Sequence, residues 1–239
     1  MTARQRIDVV IPAHDEEDRI ADCLDAVLAA ADHLRADRRA AGVADVEVGV
    51  TVVLDGCADD TARIVRTYPV DALETPRVGV GRARSLGVAH ALRATPDQPP
   101  HTRWLAHTDA DSRVAPEWLV QQADALAAGA HVLVGAVVPD PDDLDPVVLA
   151  RWTTAHPPGA TLGHVHGANL GVLATAYVAL GGFDPVPEHE DVRLVERARA
   201  LGLRVDATTE LPVVTSGRFA GRTPGGYAEH LRRSYGDAS

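Results

Sequence analysis

The chain has 239 residues, with 23 Lys+Arg against 34 Asp+Glu and a formal net charge of -11. Such an acidic balance argues against a nucleic-acid partner, which requires a basic face. All the Lys+Arg positions are arginine, which excludes a Schiff-base lysine, a lysine general base and the lysine of a P-loop. Hydrophobic residues at 46% and charged residues at 24% are those of a globular protein long enough for one α/β domain with a large core.

In chain order, the first apolar run, Ile7 to Ile11, reads as a strand. A helical stretch follows from Asp15 to Arg39, with Ile20, Leu24, Val27, Leu28 and Ala31 at helical spacing. Val46 to Leu54 reads as a second strand, and Asp59-Asp60 caps a helix over Thr61 to Thr67. A weak strand near Val70 to Leu73, a helix over Arg82 to Ala94, a strand over Thr102 to His107 and a helix over Glu117 to Ala128 continue the alternation. His131 to Val138 is the next strand. The Pro- and Gly-rich segments Pro139 to Pro146 and Ala155 to Gly163 bracket a short helix. A helix over Glu190 to Leu201 ends at Gly202, and Arg204 to Asp206 and Leu211 to Val214 read as two short strands. Strands alternating with helices predict a mostly parallel central sheet flanked by helices. One domain over 1–239 is expected, with a nucleotide-type half over 1–115 and an acceptor-handling half over 116–239.

Cys23 and Cys57 are too few for a disulfide framework. No run approaches the ~20 apolar residues that span a bilayer, and the N-terminus carries no secretory pattern. The sequence thus reads as cytoplasmic, without a transmembrane segment.

In an open α/β sheet, ligands bind beyond the carboxyl ends of the strands, so the polar residues just past each strand carry the functional information. The first strand runs into Pro12-Ala13-His14-Asp15-Glu16-Glu17, the second into Asp55-Gly56-Cys57-Ala58-Asp59-Asp60, and Thr102 to His107 into Asp109-Ala110-Asp111. Helix capping and dipole compensation explain the first two equally well. Asp109 and Asp111 are different, because residues i and i+2 of an extended segment share a face, and two carboxylates on one face suit a hard divalent cation such as magnesium or manganese. His164 and His166 likewise share a face, which makes His166 a further candidate ligand. Glu190-Asp191 stands at a helix start, where acids are favourable in any case. The Gly- and Arg-rich stretch after Thr215 offers Arg218 and Arg222 as planar forks for a diphosphate, either as a closing loop or as surface residues.

The order VVIPAHDEE, VVLDGCADDT, GVGRARSLGVAHA, LAHTDADSRV, HGANLGV, GGFD and EHEDVRL, from about residue 7 to about residue 205, resembles the inverting family 2 glycosyltransferases of GT-A fold. The resemblance implies a Rossmann-like α/β sandwich that moves a sugar from a nucleotide-diphosphate sugar to a small-molecule or carrier-linked acceptor with Mn2+ or Mg2+. It implies Pro12, Ala13 and Glu16 at the nucleoside, Asp55 at the base and Arg84 near base or diphosphate. Asp111 then serves as metal ligand, Asp109 holds ribose or metal-bound water, and Asp191 is the general base with Glu190 beside it. Where the family often has Asn after the arginine, this chain has Ser85. Two other readings compete. An aspartyl phosphotransferase or phosphatase would use Asp109 as nucleophile. A non-catalytic module would bind the nucleotide sugar without transfer.

Overall fold

A computed structural model describes residues 4–157, 159–186, 188–219 and 227–235. The strands are β1 (Arg6–Ala13), β2 (Glu47–Asp55), β3 (Asp71–Thr75), β4 (Arg103–His107), β5 (Ser112–Arg113), β6 (Val132–Pro139), β7 (Leu170–Leu173) and β8 (Val205–Thr215). The helices are α1 (Ile20–Ala40), α2 (Thr61–Val65), α3 (Val80–Ala94), α4 (Trp118–Ala127), α5 (Pro146–Ala155), α6 (Ala174–Ala179), α7 (Glu190–Ala200) and α8 (Tyr227–Tyr235). The strands form one sheet in the order β3-β2-β1-β4-β7-β6-β8-β5. The β3-β2-β1-β4 half is parallel throughout, β7 is antiparallel to both β4 and β6, and β6 and β8 are parallel. The expected α/β class, a mostly parallel sheet between helices, is the observed one.

Strand periodicity distributes the core. Ile7, Val9 and Ile11 pack with Ile20, Leu24, Val27, Trp118 and Leu119 on one face of the sheet, where α1 and α4 lie. Val10 and Val53 point the other way and join Ala83, Val88, Leu105, Leu170, Phe183 and Leu194, so that α3, α6 and α7 cover the second face. Some of the polar groups trapped in these layers are paired. Trp104 Nε1 donates to Gln122 Oε1 at 2.6 Å, and Trp118 Nε1 donates to Asn169 Oδ1 at 2.9 Å. The buried Asp8 pairs with Arg103, whose guanidinium also donates to the carbonyls of Ala91 and Thr95.

Helix α3 lies against β1 and β2 through a glycine. A Cβ on Gly87 would stand 2.5 Å from Val10 Cγ1 and 2.8 Å from Val53 Cγ2. Gly87→Ala is therefore expected to lose about 1–3 kcal/mol to overpacking despite the better helix propensity of alanine, as read by urea denaturation.

Three local expectations differ from the structure. Helix α1 opens at Ile20 rather than Asp15, because residues 15–17 fasten two loops together. Asp15 Oδ1 accepts from Ala58 N at 2.7 Å, Glu16 N donates to Thr61 Oγ1 at 2.8 Å, and Glu17 N donates to Asp59 Oδ2 at 3.0 Å. The two short strands expected after Gly202 are one strand, β8, whose register against β6 shifts between Gly135 and Val137. Strands β5 and β7 and helices α6 and α8 match no expected element, since such short segments carry too little periodicity to read. Among the described residues, no helix is long and apolar enough to cross a membrane.

Candidate active site

Beyond the carboxyl ends of β1, β2 and β4 opens a cleft of about 850 Å³. It is lined by Pro12, Ala13, Glu16, Asp55, Arg84, Asp109, Asp111, His166, Glu190, Asp191 and Arg218, residues drawn from the whole length of the chain. Arg222 lies outside the described residues. The topology explains the convergence. Parallel strands deliver their C-terminal loops to one edge, while the reversed β7 brings its N-terminal segment, His164 to Asn169, to the same edge.

Asp55 ends β2 and is buried, with Oδ1 accepting from Val78 N at 2.6 Å and Oδ2 from Gly79 N at 3.0 Å. It thus shapes the loop that enters α3, where Gly79 takes φ 86 and needs no Cβ. Oδ1 also accepts from Thr75 Oγ1 at 3.4 Å, and Asp55 lines the cleft. Across from it His14 Nδ1 stands 2.7 Å from the Asp55 carbonyl oxygen, and its other ring nitrogen meets Arg77. His14 and Arg77 both line the cleft; His14 lies within the VVIPAHDEE segment but was given no role there, and Arg77 precedes the GVGRARS segment.

Arg84 projects from α3 into a buried position between two acids. One guanidinium nitrogen donates to Glu190 Oε1 and the other to Asp109 Oδ1, and the residue is 3% exposed. Gly167 closes over it, for a Cβ there would overlap the guanidinium. This cation is engaged by protein carboxylates and forms part of the cleft lining. Burial, opposed by the Arg84 charge and reinforced by Asp191, raises the Glu190 carboxyl above its ordinary range. His107, beneath this lining and edge-on to Phe183 with ring centroids 4.9 Å apart, is held neutral; burial and then the Arg84 charge lower it to about 3.

Asp111 faces Arg218 at 3.0 Å, and Arg218 also makes a two-pronged pair with both oxygens of Glu16. A residue at the end of β8 thereby reaches the loop after β1. Burial, then the adjacent Asp109 and, against the Arg218 charge, Glu16 push the Asp111 carboxyl up to about 6. A carboxyl whose folded value exceeds its ordinary one contributes stability while protonated and loses that contribution as pH rises through the folded value. Asp111→Asn fixes the neutral form, so its stability relative to the wild type should increase between about pH 4 and 6 in metal-free buffer, as followed by thermal denaturation across that range.

These residues suit a divalent cation in one respect and not in another. Asp109 and Asp111 offer hard oxygen donors in a half-buried corner where the two carboxylates repel each other, which a cation relieves. His166 does not complete a three-ligand group with them. Among the described residues, only Asp15, Cys57 and Asp59 bring three ligand-type atoms within 4.8 Å of one another, and Asp15 and Asp59 there hold loop amides. His166 instead meets Tyr227 edge-on, with ring centroids 5.8 Å apart. Two carboxylates complemented by substrate phosphates remain a sufficient set for magnesium.

Asp191 occupies the first turn of α7, with Oδ2 accepting from Gly167 N at 2.6 Å and Oδ1 from Val192 N at 2.7 Å. His189, ahead of the helix, adopts the left-handed conformation with φ 62 and turns the chain so that Glu190 points inward to Arg84 while Asp191 lines the cleft.

A mixed α/β sheet whose strand ends gather acids from both halves of the chain around one cleft defines a GT-A type fold. Residues 8–179 match the profile of glycosyl transferase family 2, and the chain belongs to that family. No curated protein matches the chain. Among solved structures, the chain is similar to the mannosyltransferase PcManGT of Pyrobaculum calidifontis, in complex with GDP-Man and Mn2+ (23% identity, TM-score 0.66, 98% of this chain and 62% of that one). It is also similar to TarS of S. aureus (15% identity, TM-score 0.61, covering 89% and 61%). A third similar structure is glucosyl-3-phosphoglycerate synthase of Mycobacterium tuberculosis with Mg2+ and UDP (17% identity, TM-score 0.57, covering 90% and 72%). The chain spans about three fifths of the length of the first two.

Proposed function

We propose that the protein is an inverting glycosyltransferase that uses a nucleotide-diphosphate sugar and a divalent cation, with donor bound by the half over 1–115 and acceptor by the half over 116–239. The observation that carries this reading is the convergence of Asp55, Asp109, Asp111 and Asp191 on one cleft in a member of family 2. Nucleotide-bound and metal-bound neighbours of the same fold support it. A phosphatase built on Asp109 is disfavoured, because the Asp109 carboxylate is paired with the buried Arg84.

In this reading Pro12, Ala13 and Asp55 bound the nucleoside, and Asp109 and Asp111 hold the cation. A bound cation supplies charge neutralisation to the departing diphosphate. Glu16 keeps Arg218 aimed at Asp111 and so at the phosphate end of the donor. Asp191 takes the proton of the acceptor hydroxyl as its oxygen bonds to the anomeric carbon. The anomeric C–O bond breaks on the opposite side, its electron pair leaves with the nucleotide diphosphate, and the configuration inverts. The Gly167 amide orients the Asp191 carboxylate for this step.

A thermal-shift panel of UDP, GDP and dTDP with and without Mn2+ tests the donor half. One nucleotide should raise Tm only with metal, and Asp111→Asn should abolish that rise while remaining folded. A panel without any nucleotide response overturns the donor reading.

A further inference from the structure

The cleft is electrically asymmetric. Its arginines all stand toward the donor: Arg77 beside His14 and Asp55, Arg84 between Asp109 and Glu190, and Arg218 on Glu16 and Asp111. Past Asp191 the lining changes character. Trp152 of α5 stacks on His156 with centroids 4.4 Å apart and planes at 16°, and His164, His166 and Tyr227 continue the ring-bearing wall. The full charges there are the carboxylates of Glu188 and Asp191, and no arginine lines that side among the described residues.

We infer that the acceptor is an uncharged, ring-bearing polyol, a neutral glycoside rather than a phosphorylated or carboxylated molecule. This rests on the transfer reading above and specifies its second substrate. Among the described residues, an anionic acceptor would approach two carboxylates with no arginine on that side to meet it, and like charges facing one another in a partly desolvated site repel strongly. A pyranose ring, in contrast, presents a face of C–H bonds to the negative faces of aromatic rings. Its hydroxyls find imidazole nitrogens and the Glu188 carboxylate as partners. Positive charge has been concentrated where a diphosphate is expected and withheld where a hydroxyl must be deprotonated.

The wall contains its own reporter. Trp104 and Trp118 are fully buried, whereas Trp152 is 9% exposed and lines the cleft. With the protein loaded with Mn2+ and the nucleotide diphosphate that stabilises it, at pH 8 where ordinary imidazoles are neutral, methyl glucoside and methyl mannoside are titrated against tryptophan fluorescence and by calorimetry. Their 6-phosphates and a phosphorylated hydroxy acid are titrated in parallel. A neutral glycoside is expected to quench saturably and to bind at least tenfold more tightly than its phosphate. Trp152→Phe should remove the quench, and His156→Ala should weaken calorimetric binding at least fivefold. Equal or tighter binding of the anionic compounds, binding of no neutral glycoside, or an affinity unchanged in His156→Ala overturns the inference. The nucleotide shift, measured first, separates this failure from failure of the transfer reading: without it the donor site is wrong, and with it only the acceptor class is.

Discussion

Asp191→Asn is expected to lower kcat by about 10²–10⁴ while leaving nucleotide binding intact. The asparagine carbonyl can still accept from Gly167 N, so the loop before β7 keeps its anchor, and the helix start loses only about 0.3–1 kcal/mol of charge stabilisation. What disappears is a carboxylate able to take a proton. The signature is a split: unchanged metal-dependent Tm shift by the nucleotide, unchanged KM for donor, and near-absent sugar transfer. Transfer within threefold of wild type would remove Asp191 from the reaction.

The second large effect concerns stability. Arg84→Met removes the only cation among the described residues in contact with Glu190, itself 2% exposed, and leaves an acid buried without its counter-charge, a loss of about 3–5 kcal/mol. The sign with pH follows from the same geometry. Without Arg84, the Glu190 carboxyl moves further up, the neutral acid is tolerated, and the deficit should be smaller at pH 5 than at pH 8 in guanidinium denaturation. Glu190→Gln in the Arg84→Met background should restore part of the loss, since the two residues are directly coupled. Arg84→Lys should not substitute, because one ammonium does not reproduce a fork held between Asp109 and Glu190. A deficit below about 1 kcal/mol would show that the pair is not structurally required.

Much of the frame was readable in the chain. Strands such as Ile7–Ile11 and His131–Val138 announce themselves by β-branched runs, and the rule that ligands sit beyond strand ends selects Asp55, Asp109 and Asp111 without coordinates. The pairings were not readable. Arg218 meets Glu16 across 202 positions, and Arg84 spends its charge on Glu190 across 106; sequence shows that the charges exist but not which ones neutralise each other. Trp152 fell in an expected short helix and His156 in the Pro- and Gly-rich segment after it, so nothing in the sequence showed that their rings stack. His166 was an attractive ligand by alternation alone, and its ring turned out to address Tyr227.

The reversed strand β7 has a consequence for how such a scaffold diversifies. Because His107 pairs with Leu170 in the ladder between β4 and β7, the segment that carries the acidic pair and the segment that enters the acceptor side are stitched at adjacent rungs, whereas residues 140–166 leave the sheet after β6 and return only at β7. That excursion carries Trp152, His156 and His164 of the cleft wall, while Asp140 and Asp143 tie it to Arg113, Arg19 and Gly217. A chimera that exchanges it alone should inherit a new co-substrate from its parent while retaining the original nucleotide preference, the two specificities being segregated by the direction of a single four-residue strand.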